Sequence, residues 1–295
     1  MSPPDRFVIR RDDSGYPRQL LRLDHPPEAL YCIGDPSLLT AGLAVIGSRR
    51  QTPYGRECTA VLAGWAASRG VPIISGAAVG CDQSAHRAAI EAGGRTVAVL
   101  GCGADLDYPP SARPLLQTMR RDHLVVSELP WGAPPARWTF PARNRIIAGL
   151  AHALLVVEAS LPSGTFNTAD HALQTGTEVL AVPGSILSPC SQGTNRLIRD
   201  GAGVVADVED LATALERCGL LDPGASSGAL AQHTAPDSAL AAALASCPMT
   251  AEALAQALGR SVHEVARELA LLEIDGLIRR TADGQYCYAP RPCGG

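Results

Sequence analysis

The stretch LAVIGSRRQTPYGRECTAVLAGWAASRGVPIIS, residues 43–75, decides the fold. It opens on an apolar, strand-like run, LAVIG (43–47), passes through a helix-period segment, GRECTAVLAGWAASRG (55–70), and closes on a second apolar run, VPIIS (71–75). Strand, helix and strand in immediate succession form a βαβ unit, whose two strands lie parallel in one sheet. The alternation continues with TVAVLG (96–101), HLVVSE (123–128), ALLVVEA (153–159), EVLAVPG (178–184) and GVVAD (203–207). Most are separated by helical stretches such as CDQSAHRAAIEAGG (81–94), which ends in the Gly-Gly of a C-cap. Near-continuous Val, Ile and Leu runs belong to strands covered on both faces, so the expected class is α/β, with a doubly wound, mostly parallel sheet over residues 43–218.

Outward from this core, residues 1–42 carry the turn-rich segments SGYPRQL and HPPEALY and are expected to be an extension packing on it. Residues 219–236, which include DPGASSGALAQHTAP, are small, Pro/Gly/Ser-rich and without period, and form a linker. Residues 237–290 hold three helical segments, around SALAAALAS, TAEALAQALG and RSVHEVARELALLEIDG, followed by GLIRRTADGQYCYA, which suits two short strands around Asp283-Gly284. Three helices and a wing make a small C-terminal winged-helix domain.

A chain of 295 residues, 46% hydrophobic, suffices for one large core and a satellite domain. No apolar run approaches the roughly 20 residues of a membrane span, and MSPPDRFVIRRDD lacks a secretory apolar region, so a soluble cytoplasmic protein is expected. The nine cysteines are odd in number, scattered and without a C-x-x-C pair, as befits reduced thiols. A net charge of −4 argues against binding polyanions over the whole surface and leaves room for a local patch. All 25 basic residues are arginine, so every cationic contact is guanidinium chemistry.

Ligands of doubly wound sheets bind beyond the carboxyl ends of the strands. There the sequence places Gly47-Ser48-Arg49-Arg50, then Ser75-Gly76, then Gly101 and Gly103, and after the fifth strand Ser163-Gly164-Thr165. Small residues allow close approach, and helices starting there offer free amides to an anion. TFPARNRIIAGL (139–150) is expected to begin a helix with Arg143 and Arg145 in its first turn, where the dipole is already positive; an anion would supply the missing counter-charge. Several such loops, with Phe140 available for stacking, point to a nucleic-acid strand laid along the sheet edge. Blander accounts stand beside these: glycines that only make turns, Ser163 and Thr165 as helix caps, and Phe140-Pro141 as a helix opening. Asp82 and His86 suit a capping Asp with an i,i+4 partner better than a metal site, for no third ligand lies nearby.

Together AVIGSRRQTPYG (44–55), SGAAVGCDQSAHRAAIEAGGRTVAVLGCGADLDYP (75–109), SELP (127–130), FPARNRIIAGL (140–150), LLVVEASLPSGTFNTADHAL (154–173) and VPGSILSPCSQGTNRLIRDGA (182–202) resemble the DprA/Smf family, the DNA-processing protein A of bacterial natural transformation. The resemblance covers most of residues 16–210, and G-S-R, F-P-x-R-N-R and S-G-T in this order are highly specific. It implies an extended Rossmann-like domain without catalytic residue or cofactor. That domain would bind single-stranded DNA, form a homodimer, shield the incoming strand and help load the RecA recombinase. The implied DNA contacts are Gly47, Ser48, Arg49, Phe140, Arg143, Asn144 and Arg145. The neighbouring Arg50, Ser75, Gly76, Gly164 and Thr165 join them from the strand-end pattern. Many members begin with a helical SAM-like domain, for which the stretch before Gly47 is too short.

Residues 236–290 hold four arginines (Arg260, Arg267, Arg279, Arg280) against seven acidic residues (Asp237, Glu252, Glu264, Glu268, Glu273, Asp275, Asp283), a net of −3. A recognition helix bearing Glu264 and Glu268 suits a protein partner or weak duplex contact, with Arg279 and Arg280 as its DNA handle. The rival functions are a nucleotide phosphoribohydrolase-like enzyme and a nucleotide-sensing regulator on a related fold. The enzyme pattern P-G-G-x-G-T-x-x-E places a carboxylate after the Thr, whereas Thr165 is followed by Phe166, Asn167 and Thr168, which removes the general acid/base.

Overall fold

The computed structural model describes residues 6–224, 238–246, 248–281 and 284–288. The chain divides into two units, residues 1–226 and 227–295. The first is built on a sheet of strands β1 (Arg6–Arg10), β2 (Ala29–Gly34), β3 (Gly42–Ile46), β4 (Ile73–Ser75), β5 (Thr96–Val99), β6 (Leu124–Ser127), β7 (Ala151–Val156), β8 (Glu178–Ala181) and β9 (Gly203–Val204). Its order is β1-β2-β6-β5-β4-β3-β7-β8-β9. From β6 to β9 every neighbouring pair is parallel, while β2 runs antiparallel to β6 and β1 antiparallel to β2.

Helices α1 (Pro53–Ser68), α2 (Cys81–Glu91), α3 (Arg113–Asp122), α4 (Thr139–Leu150), α5 (Thr165–Gln174) and α6 (Gln192–Arg199) make the crossovers, and α7 (Val208–Arg217) follows the last strand. Alternate residues of each strand enter opposite layers. Ala44, Ile46, Leu154 and Val156 pack with Ile146 and Ile147 of α4 and Ala169 and Ala172 of α5. Leu43, Val45, Ala153 and Leu155 pack with Leu62, Ala63 and Ala66 of α1 and Ala85 and Ala89 of α2. Every residue of β3 is buried, which explains a sequence apolar on both faces.

Residues 6–34 supply strands β1 and β2 to the sheet itself, which the sequence pattern did not show. For β1 the reason is local: in RFVIR, exposed and half-buried residues alternate along an edge strand that begins and ends on arginine, whereas β2 (ALYCIG) is a largely buried apolar run like the core strands. None of the described helices is long and apolar enough to cross a membrane.

The second unit holds α8 (Ala239–Ser246), α9 (Ala251–Leu258), α10 (Val262–Ile274) and the antiparallel pair β10 (Ile278–Arg280) and β11 (Tyr286–Tyr288). Leu240, Leu244, Leu254, Val265, Leu269 and Ile278 form its core. Thr250 caps α9, and Ser261 with Glu264 forms a capping box on α10. Within the wing, Asp283 lies outside the described residues, as do residues 225–236 of the linker.

Candidate nucleic-acid interface

After β3 the chain turns to one side of the sheet for β4, β5 and β6, then returns to the other side for β7, β8 and β9. The crevice beyond the carboxyl ends of β3 and β7 is thus the switch point at which doubly wound sheets take ligands. A cavity of about 590 Å³ opens there. Gly47, Ser48, Arg49 and Arg50 line it from the β3–α1 loop, Ser163, Gly164 and Thr165 from the start of α5, and Arg143 and Asn144 from α4. Ser75, Gly76, Phe140 and Arg145 are not part of its lining.

The β3–α1 loop is held at both ends. Ser48 Oγ accepts from the Arg50 amide at 3.0 Å, which curls the loop so that Arg49 and Arg50 face solvent. Thr52 caps α1 by accepting from the Gly55 amide at 3.1 Å. The buried Glu158, just past β7, accepts from the Thr52 amide at 2.9 Å and from Thr52 Oγ1 at 2.5 Å. This clamp was not legible from the sequence, because Glu158 and Thr52 are 106 residues apart. Arg49 and Arg50 form no salt bridge among the described residues. The Arg49 guanidinium lies over the Phe140 ring, 5.8 Å from its centroid.

The other two arginines are differently employed. Helix α4 begins at Thr139, whose hydroxyl donates to Gly101 O at 2.6 Å, so Arg143 and Arg145 fall in its second turn, beyond the free amides. Arg145 grips both oxygens of Glu128, at 2.9 and 2.6 Å, and donates to His25 O at 3.1 Å. Its counter-charge is therefore a carboxylate of the protein. Arg143 is 4% exposed and donates to Gly76 O at 2.7 Å and to Val99 O, bridging the ends of β4 and β5. Asp82 lies in its electrostatic field and accepts from the Gly76 and Ala78 amides at 3.2 and 3.3 Å. Burial pushes the Asp82 carboxyl up, and Arg143 and those amides pull it back. Ser75 Oγ donates to Val45 O at 2.6 Å, tying β4 to β3. Of these residues Arg143 and Asp82 line the cavity, Ser75 and Arg145 brace the elements around it, and Arg49 and Arg50 supply its accessible charge. Thr168 and Cys190 also line it, and nothing in their sequence context marked them.

Asp82 and His86 do not pair as the i,i+4 spacing suggested. Thr96 Oγ1 donates to Ile73 O at 2.8 Å and so accepts from His86 Nδ1 at 2.7 Å, leaving Nε2 the unprotonated nitrogen, buried without a partner. Burial holds the His86 pKa down at about 3. A depressed folded-state pKa means that the unfolded chain binds the extra proton first. Stability from this group is therefore complete above pH about 6.5 and falls as the pH drops towards about 3. His86→Gln is expected to flatten that acid slope, read as urea midpoints against pH; an unchanged slope would place the titration elsewhere.

The model of the DNA recombination-mediator protein A family matches residues 7–216. The chain belongs to that family. A DprA winged helix domain matches residues 224–284. Protein Smf of Escherichia coli is 36% identical over 300 residues, which cover 99% of this chain and 80% of that protein. Protein Smf of Synechocystis is 38% identical over 218 residues, but the match spans only 55% of that protein's length and 72% of this chain. Among solved structures, the family's DNA processing protein A from Streptococcus pneumoniae superposes with a TM-score of 0.68 at 37% identity, covering 71% of this chain and 74% of that one. The Helicobacter pylori protein, studied for its single-stranded DNA binding mode, gives 0.65 at 30% identity, covering 71% and 96%.

Proposed function

We propose that the chain binds single-stranded DNA across the β3 and β7 strand ends, protects incoming DNA during natural transformation and helps to load the RecA recombinase onto it. It would do so in the cytoplasm, as a homodimer and without catalysis. The observation that carries this is the pair of solvent-facing guanidinium groups, Arg49 and Arg50, at a cavity where the one lining carboxylate among the described residues, Asp82, is committed to two amides. Such a site attracts phosphate and offers no free carboxylate for hydrolysis among the described residues. The family membership and the strand binding studied in the H. pylori relative support the same substrate class.

The test is a salt titration of a fluorescent single-stranded oligonucleotide, with a matched duplex and a mononucleotide as competitors. Affinity should fall with log salt at about −0.7 per neutralised phosphate. Arg49→Ala should weaken binding and reduce that slope by about 0.7. Binding of the mononucleotide alone, with a flat response to oligonucleotides, would favour the nucleotide-site rivals instead.

The winged helix is proposed to contact a protein or, weakly, duplex DNA. On α10 a single arginine, Arg267, stands against Glu264, which serves the capping box, Glu268, which pairs with Arg260 at 2.6 Å, and Glu273, so the helix presents little that would attract phosphate. Deleting residues 219–295 should leave most of the single-strand affinity intact, and its collapse in folded, truncated protein would refute that division of labour.

A further inference from the structure

The loop after β5 is a surface segment held with unusual economy. Arg120 of α3, 9% exposed, donates to Ala104 O at 2.9 Å, to Leu106 O at 2.6 Å and to Asp107 Oδ1 at 2.6 Å. From the other side Asp105 Oδ1 accepts from the Gly132 amide at 2.9 Å, and the Gly103 amide donates to Ala133 O at 2.9 Å. A loop so fixed costs little further entropy when something binds to it. What it displays is Tyr108, 39% exposed, whose ring lies 5.6 Å from that of Phe140 at a tilt of 34°. Gly101 makes room for the arrangement, since a Cβ there would stand 2.9 Å from Phe140 Cδ1.

Phe140 is itself half-buried and covered by the Arg49 guanidinium. The more open ring of the pair is therefore Tyr108. An aromatic held rigidly beside a second aromatic and a guanidinium is a surface for stacking flat, unpaired bases. We propose that Tyr108 is a base-stacking residue, taking the base next to the one that meets Phe140 and Arg49, with Arg120 as the residue that positions it. This rests on the single-strand reading above and adds a residue and a direction to it: the strand continues from the β3–α1 loop over Phe140 towards the loop after β5.

The experiment uses the full chain and an oligonucleotide carrying 2-aminopurine, whose fluorescence is quenched by stacking. Tyr108→Ala and Tyr108→Leu should each weaken binding about tenfold and relieve part of the quenching, with the salt slope unchanged, because a ring face and not a charge has been lost. Tyr108→Phe should behave as the wild type, while leucine, apolar but not flat, should fail to substitute. Equal affinity and quenching in Tyr108→Ala and wild type would overturn the proposal while leaving strand binding in place. A slope that falls with the affinity would also overturn it, making Tyr108 a support of the cationic loop. Absence of oligonucleotide binding by the wild type would overturn the strand reading, and this one with it.

Discussion

Arg143→Ala is expected to lower the free energy of unfolding by about 3–5 kcal/mol, a large share of the stability of an ordinary domain. The guanidinium is buried and bridges Gly76 O and Val99 O. Its removal leaves two carbonyls without their donor and strips Asp82, also buried, of the positive charge that offsets its desolvation. Removing one member of a buried charged set costs more than the set contributes, because the survivor stays in a poor solvent. Asp82→Asn should soften the loss: the double variant is expected to be more stable than the sum of the two single effects implies. Urea unfolding of the four proteins measures this coupling. Strand binding should vanish with the site's shape in Arg143→Ala, whereas Arg49→Ala should keep its fold and lose one phosphate's worth of salt dependence. If Arg143→Ala were as stable as the wild type and merely lost salt slope, the guanidinium would belong on a phosphate and not between strands.

That contrast shows what the sequence could and could not reveal. The seven strand-like runs from Leu43 to Asp207 all correspond to strands β3 to β9, and for β3 to β7 the reason is that residues buried on both faces are almost all apolar. The switch point follows from strand order, which a linear pattern does not contain, yet the Gly47–Arg50 and Ser163–Thr165 turns stood out by chemistry alone: small and cationic residues directly after apolar runs. The assignment of Arg143 and Arg145 was harder. Both looked surplus to a helix start, and their partners, Gly76 and Val99 for one and Glu128 for the other, come from other loops and strands. A buried arginine and a phosphate-binding arginine are the same letter in a sequence, and only exposure separates them. Strand β1 escapes a sequence reading for the converse reason, since at the sheet's edge apolar continuity is not required, whereas β2, the apolar run ALYCIG paired on both sides, carries the same signal as the core strands.

Gly80→Ala is expected to cost about 2–4 kcal/mol and to damage strand binding beyond what Arg49→Ala does. Gly80 precedes α2 with φ +91° and ψ −128°, a conformation essentially restricted to glycine. A Cβ at this position would stand 2.3 Å from Ser48 O and 2.9 Å from the Arg49 backbone. Neither contact can be relieved by a side-chain rotation, for both atoms are main chain. The β3–α1 loop must move, and that loop is also tethered by the Cys81 amide, which donates to Ser48 O at 3.2 Å. Moving it displaces Arg49 and Arg50 together, so both affinity and salt slope should fall. Gly93→Ala provides the control. Gly93 has φ +69° but open space around its Cβ position, so strain alone should cost about 1–2 kcal/mol there and leave strand affinity untouched. Equal binding by the Gly80 and Gly93 variants would show that the loop's position is not what holds the two arginines on the strand. A Gly80 variant destabilised no more than its control would show that the loop yields freely, and that the clamp of Thr52 on Glu158 fixes the geometry by itself.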